Sequence, residues 1–160
     1  MTDPETIVAL ARAAFPVEPQ PARNALMKYH CPECIDVSNA YGARPWPEIS
    51  LDVVANNETA LLTAAAWRYY LPAVITWCVR DPEVADVRCE YLVYQLEPPQ
   101  PPKRDEWFAE RIGDFSEEQR RVIVAYLDWY REREEAEYSL LEMPTPVHVY
   151  RALAFWKGEP

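Results

Sequence analysis

Glycine is scarce in this chain of 160 residues: Gly42, Gly113 and Gly158 are the three, and they stand far apart. A G-x-G-x-x-G turn or a P-loop needs clustered glycines so that backbone N–H groups can close on a phosphate, and both are excluded. Basic charge is in deficit as well. Sixteen Lys and Arg against 26 Asp and Glu leave a net charge of −10, which argues against a nucleic-acid partner held through its phosphates. Long apolar runs are missing too. The longest, Leu71 to Val79, is about half of a membrane span. The stretch from Ile7 to Phe15 is broken by Arg12 behind an acidic start, so it fails as a signal peptide. Four cysteines in a chain without such a leader point to reduced thiols in a cytosol. The expectation is a cytoplasmic protein with neither membrane nor nucleic acid as partner.

What is abundant is proline, at 16 residues, with six tryptophans and ten tyrosines. Hydrophobic residues make up 49% and charged residues 26%, the usage of an ordinary folded domain, and the length suits one domain over 1–160. Asp3-Pro4 reads as an N-cap followed by proline at the first helical position, with Ile7, Leu10, Ala11 and Ala14 on one face. A short helix is predicted from Pro32 to about Tyr41, stopped by Gly42 as a left-handed cap. Thr63 is placed to cap the most apolar helix, on which Trp67, Tyr70, Leu71, Val74, Trp77 and Cys78 recur at helical spacing. Pro72 lies inside that pattern and predicts a kink or break near Tyr70. Asp81-Pro82 repeats the cap, and Val84, Val87, Tyr91, Leu92 and Gln95 continue a helical face.

The run from Glu97 to Arg104 reads as a proline-rich surface linker. Trp107, Phe108 and Ile112 suggest a short helix behind it. Ser116 and Gln119 form a capping box with Phe115 as its hydrophobic staple, and Ile123, Tyr126, Leu127 and Tyr130 give the inner face. Thr145-Pro146 opens a last helix that Gly158 closes. The sum is a mainly α, single irregular helical domain of about seven helices joined by proline-rich loops.

Reactive residue types crowd together in one place, His30-Cys31-Pro32-Glu33-Cys34. With Pro32 at the first helical position, Cys31 is the N-cap and Cys34 sits one turn in, at the positive end of a helix, where a thiolate is favoured. Three readings stay open. The pair is a redox dithiol, although the strand expected before one is missing. It is half of a zinc site, with Cys78, Cys89 and His148 the remaining candidate ligands. Or Cys31 and Cys34 are small buried hydrophobes and Glu33 favours the helix start by its charge. His30 and Glu33 are candidate binding residues, Cys31 and Cys34 candidate metal ligands. Trp67 and Tyr70 are candidates for lining a pocket, against the commoner use of such aromatics in a core.

Two stretches carry a resemblance. His30-Cys-Pro-Glu-Cys34, together with Leu61-Leu-Thr-Ala-Ala-Ala-Trp-Arg-Tyr-Tyr-Leu-Pro-Ala73, resembles an uncharacterised bacterial family with the pattern L-L-[ST]-x-x-A-[FW]-x-Y-Y-L-P-A. The likeness spans most of residues 5–130. It departs at Ala64 and Ala65, where the family often has proline and an acid. The family is a domain of unknown function; the resemblance implies no cofactor and no catalytic residue, only that the two stretches go together.

Function is then weighed on charge and on that cluster. The preferred reading is a small acidic binding or adaptor protein, immunity- or inhibitor-like, whose aromatic-bearing face covers a basic protein partner. A metal- or thiol-dependent protein centred on His30 to Cys34 is the second reading. An enzyme whose site is scattered through the chain is the third, and no catalytic residue is nominated.

Overall fold

The structure, a computed structural model, describes residues 2–42, 44–101 and 103–159. Among these, nine α-helices and three short 3-10 turns account for the regular structure: α1 (Pro4–Ala14), α2 (Pro32–Tyr41), α3 (Leu51–Asn56), α4 (Ala64–Arg80), α5 (Pro82–Ala85), α6 (Val87–Leu96), α7 (Glu106–Ile112), α8 (Glu117–Leu140) and α9 (Val147–Lys157). The mainly α expectation holds. The count of seven falls short because α3 is a single short segment and because α5 and α6 are parted at Asp86. No described helix is long and apolar enough to cross a membrane.

The caps explain most helix starts. Asp3, Cys31, Ser50, Thr63, Asp81, Asp105 and Ser116 each accept a backbone N–H of the following turn through the side chain. Each such bond to an Asp, Ser or Thr oxygen is worth about 1 kcal/mol to its helix, and the Cys31 sulfur is a weaker acceptor. The Ser116–Gln119 capping box is complete in both directions. Gly158 closes α9 at φ 71°.

Helix α4 is the hub. It packs on α1 and receives α6, α7 and α8 around its girth. The N-terminal helix is tied to its far end by Arg80, whose guanidinium grips Glu5 through two bonds of 2.7 Å. Helix α9 lies against α8 and α6, where Trp156 Nε1 donates to the Leu96 carbonyl at 2.8 Å. Tyr126 on α8 donates to the Cys89 carbonyl of α6 at 2.8 Å. Phe15, Trp67, Phe115 and Trp156 meet edge to face at 5.7–6.3 Å where α1, α4, α8 and α9 converge.

Four expectations are corrected. The break foreseen as one alternative near Tyr70 does not occur: α4 runs on through Pro72, because side chains all around it are buried and their packing offsets the ~3 kcal/mol that an interior proline costs. Gly42 ends α2 at φ −56°, not left-handed; glycine is needed because a Cβ would collide with the Ser38 carbonyl and meet Leu26 at 3.3 Å. Phe115 is no staple, since the fourth residue of α8 is Arg120, and its ring joins the aromatic convergence instead. Finally, Val84, Val87 and Tyr91 turn outward, and Cys89, Leu92, Val93 and Leu96 form the buried face of α6.

The proline-rich run is pinned at its start. Glu97 is nearly buried and pairs with His148 Nδ1 at 2.7 Å and with Arg151 at 3.1 Å. Pro102 of that run lies outside the described residues.

Candidate functional site

The segment Lys28–Cys34 stands between two hollows. Its base is fixed by an antiparallel bridge between Met27 and Leu62, with Thr63 N–H donating to the Leu26 carbonyl at 2.8 Å and Lys28 N–H to the Leu61 carbonyl at 3.3 Å. The stretch that leads into the cysteine cluster therefore runs beside the Leu61-Leu62-Thr63 start of the second family motif. Tyr29, exposed, lines both hollows.

On one side Tyr29, His30 and Cys34 meet Asn24 and Asn39 around a space of about 160 Å³. Cys34 is buried, while His30 and Glu33 are exposed. Cys31 and Cys34 are joined as a disulfide, their Cα atoms 5.0 Å apart. This corrects the expectation of four reduced thiols. An N-cap and the third residue of the same helix face each other across one turn, a separation within the range a disulfide spans. Cys31 Sγ also accepts the Cys34 N–H at 3.2 Å. Cys78 and Cys89 are free and buried where α4 meets α6, and burial pushes the Cys78 thiol up. Among the described residues, no group of three or more His, Cys, Asp or Glu side chains converges as metal ligands would.

Trp67 and Tyr70 stand in the core, 2% and 1% exposed. Trp67 Nε1 donates to Gln95 Oε1 at 2.8 Å, and the Tyr70 hydroxyl reaches the carbonyls of Tyr41 and Arg44 at 2.9 and 3.1 Å. Their placement serves packing and hydrogen bonding, and neither side chain lines a hollow described for this molecule.

On the other side of Tyr29, Lys28, Thr63 and Ala64 face Arg104, Trp107 and Glu110 across an open cavity of about 690 Å³. The Lys28 ammonium lies over the Trp107 ring. Burial, then the neighbouring Arg111 guanidinium, lower the Lys28 pKa to about 8, while Asp105 and Glu110 work the other way. Arg111 is only 5% exposed, set between the rings of Trp67 and Trp107 at 5.3 and 5.1 Å. Sequence reading missed Lys28, Trp107 and Arg111. The one signal was composition: Lys28, Lys103 and Lys157 are the lysines of the chain, and Lys28 stands two residues before the His30–Cys34 cluster.

A third feature is a groove of about 230 Å³ between α6 and α8, lined by Asp86, Glu90, Glu134 and Glu137 with Arg133 as the cation among them. Burial, and then Glu137 and Glu90, raise the Glu134 pKa, against a hydrogen bond from Tyr130 that lowers it. Val87, Tyr91 and Tyr94 form an exposed stripe on the adjoining face of α6. It continues onto α9 through the Tyr94–His148 ring contact at 4.5 Å, towards exposed Val147 and Tyr150. Leu140 at the end of α8 is 86% exposed, with Leu141 and Met143 beside it in sequence. At Asp86 the backbone adopts φ 40° and ψ −115°, a conformation strained for any residue but glycine.

No curated protein and no solved structure matches this chain. A family model does, over residues 5–158, so the resemblance carried by His30 to Cys34 and by Leu61 to Ala73 leads to a definite grouping: the chain belongs to a family of unknown function, DUF6714.

Proposed function

We propose that this is a protein-binding module whose partner is a basic segment laid along the groove between α6 and α8. One observation carries the reading: an outward apolar stripe, Val87, Tyr91 and Tyr94, runs beside a groove in which four carboxylates face a single arginine. An amphipathic helix would bury its apolar residues at such a stripe. Burial and the neighbouring Glu137 and Glu90 disfavour the ionised form of Glu134, and an incoming Lys or Arg side chain would favour it. The strained Asp86 at the head of the groove fits the pattern that binding surfaces retain local conflicts which folding alone would remove. The net charge of −10 adds long-range attraction for a basic partner.

The test is fluorescence anisotropy with a labelled synthetic helix carrying Lys and Leu on adjacent faces, beside an analogue with Glu in place of Lys. The basic peptide is expected to bind saturably and to weaken as salt is raised to about 0.5 M, where the screening length is only a few ångströms. The pair of substitutions Glu134→Gln and Glu137→Gln is expected to weaken it by about tenfold, equivalent to ~1.4 kcal/mol. Equal binding by the substituted protein, or equal binding of the two peptides, would overturn the proposal.

A further inference from the structure

The cavity beside Lys28 has one cationic wall and one on which Asp105, Glu106 and Glu110 outnumber the single cation Arg104. One wall is built by the pairing of residues 26–28 with 61–63, in which Lys28 stands opposite Leu61, and by Thr63 and Ala64 at the start of α4, which line the cavity with Lys28. That helix has 17 residues, and its dipole leaves partial positive charge at this end. The other wall is α7, whose Glu106 and Glu110 lie one turn apart on the same face. Asp105 is already engaged as the α7 cap, accepting Phe108 N–H at 3.1 Å. Trp107 and exposed Tyr29 supply aromatic surface between the two.

We propose that this cavity binds a small zwitterion, a carboxylate or phosphate joined to an amine a few atoms away. Its anionic group lies against Lys28 and the start of α4, and its amine against Glu106 and Glu110. Neither Lys28 nor Arg111 is ion-paired among the described residues, and Arg111 Nε is buried without a hydrogen-bond partner behind Trp107. Two cations crowd one indole, and burial together with their mutual repulsion lowers the Lys28 pKa to about 8. An oxyanion would relieve that repulsion, and an oxyanion alone would meet Glu106 and Glu110 unfavourably. A ligand with both charges satisfies both walls, and the volume of about 690 Å³ lies within the range of small-molecule sites. This site is separate from the groove between α6 and α8 and stands or falls without it.

The experiment is a calorimetric titration, followed in parallel by tryptophan fluorescence, with two zwitterions and their halves. Phenylalanine is compared with phenylacetate and phenethylamine, and phosphoethanolamine with inorganic phosphate and ethanolamine. At least one zwitterion is expected to saturate, with an affinity about tenfold or more above either of its halves. Which of the two does so separates a carboxylate from a phosphate ligand. Lys28→Met, and separately Glu106→Gln with Glu110→Gln, are each expected to cut that affinity about tenfold with the circular dichroism spectrum unchanged. Should Lys28→Met fail to fold, the exposed Glu pair carries the test. Equal binding by an anionic half, undiminished binding in the Glu-substituted protein, or no saturation by about 20 mM of either zwitterion would overturn the proposal.

Discussion

Two tyrosines in ring contact show how differently one side-chain type is used. Tyr41 and Tyr70 lie 4.9 Å apart and are both buried, yet the Tyr70 hydroxyl bonds two carbonyls while the Tyr41 hydroxyl has no partner. A buried hydroxyl that bonds nothing has lost its hydration without return, whereas removing a bonded one also strands its acceptors. Tyr41→Phe is therefore expected to leave stability unchanged or raise it slightly, and Tyr70→Phe to lower it by about 1–2 kcal/mol. Urea denaturation of the two variants decides the matter; a loss for Tyr41→Phe equal to that for Tyr70→Phe would contradict the assignment. The same residue scale separates the cysteines: Cys31 and Cys34 meet because they flank one turn, and Cys78 and Cys89 pack as small apolar groups.

Among the elements, the junction of α5 and α6 carries the clearest conflict between sequence and conformation. Asp81-Pro82 starts α5 in the expected way, but the chain then turns through Asp86 at φ 40° before α6 begins, and Asp86 makes no side-chain cap. This break rotates α6 so that Val87, Tyr91 and Tyr94 face outward. Glycine would adopt the turn without a Cβ penalty, so Asp86→Gly is expected to stabilise the fold by ~1 kcal/mol. Asp86→Asn removes the charge and keeps the strain, and should gain less. If the two variants melt together, charge repulsion and not backbone strain is the source of the conflict. Capping signals at Asp3, Thr63, Asp81 and Ser116 were legible because they act within four residues, whereas the Asp105 cap of α7 went unread. The continuity of α4 through Pro72 was not legible either, because it depends on side chains from α1, α6 and α8.

At the scale of the whole molecule, the shifted groups set opposite pH trends. The Lys28 pKa is lowered to about 8 from 10.5, so between those values the unfolded chain binds more protons and stability rises with pH. Burial raises the Tyr70 pKa from 10.0 to about 12, and burial likewise raises Tyr41, Tyr126 and Tyr130. There the folded chain holds the protons, and stability is lost as pH climbs above about 10. Denaturation curves at pH 7, 9 and 10 should show Lys28→Met gaining less than the parent protein across that interval. A parallel pH profile for the two would mean that burial and the Arg111 guanidinium, with Asp105 and Glu110 opposing them, do not disfavour the Lys28 charge.

The sequence by itself determined the helical class, most helix starts, the inner face of α8 and membership of a family of unknown function, because each rests on local periodicity, on a cap or on a short motif. It also singled out His30 to Cys34, on residue type alone. Only the tertiary structure decided that Cys31 and Cys34 are bridged, that Trp67 and Tyr70 are enclosed, and that the stripe on α6 faces out. The Lys28 cavity belongs to the same class. Lys28, Ala64 and Glu110 are widely separated along the chain, and their meeting depends on the bridge at Met27 and Leu62 and on α7 packing against α4. Contacts of that kind leave no periodic trace, since burial and charge environment are set by partners distant in sequence.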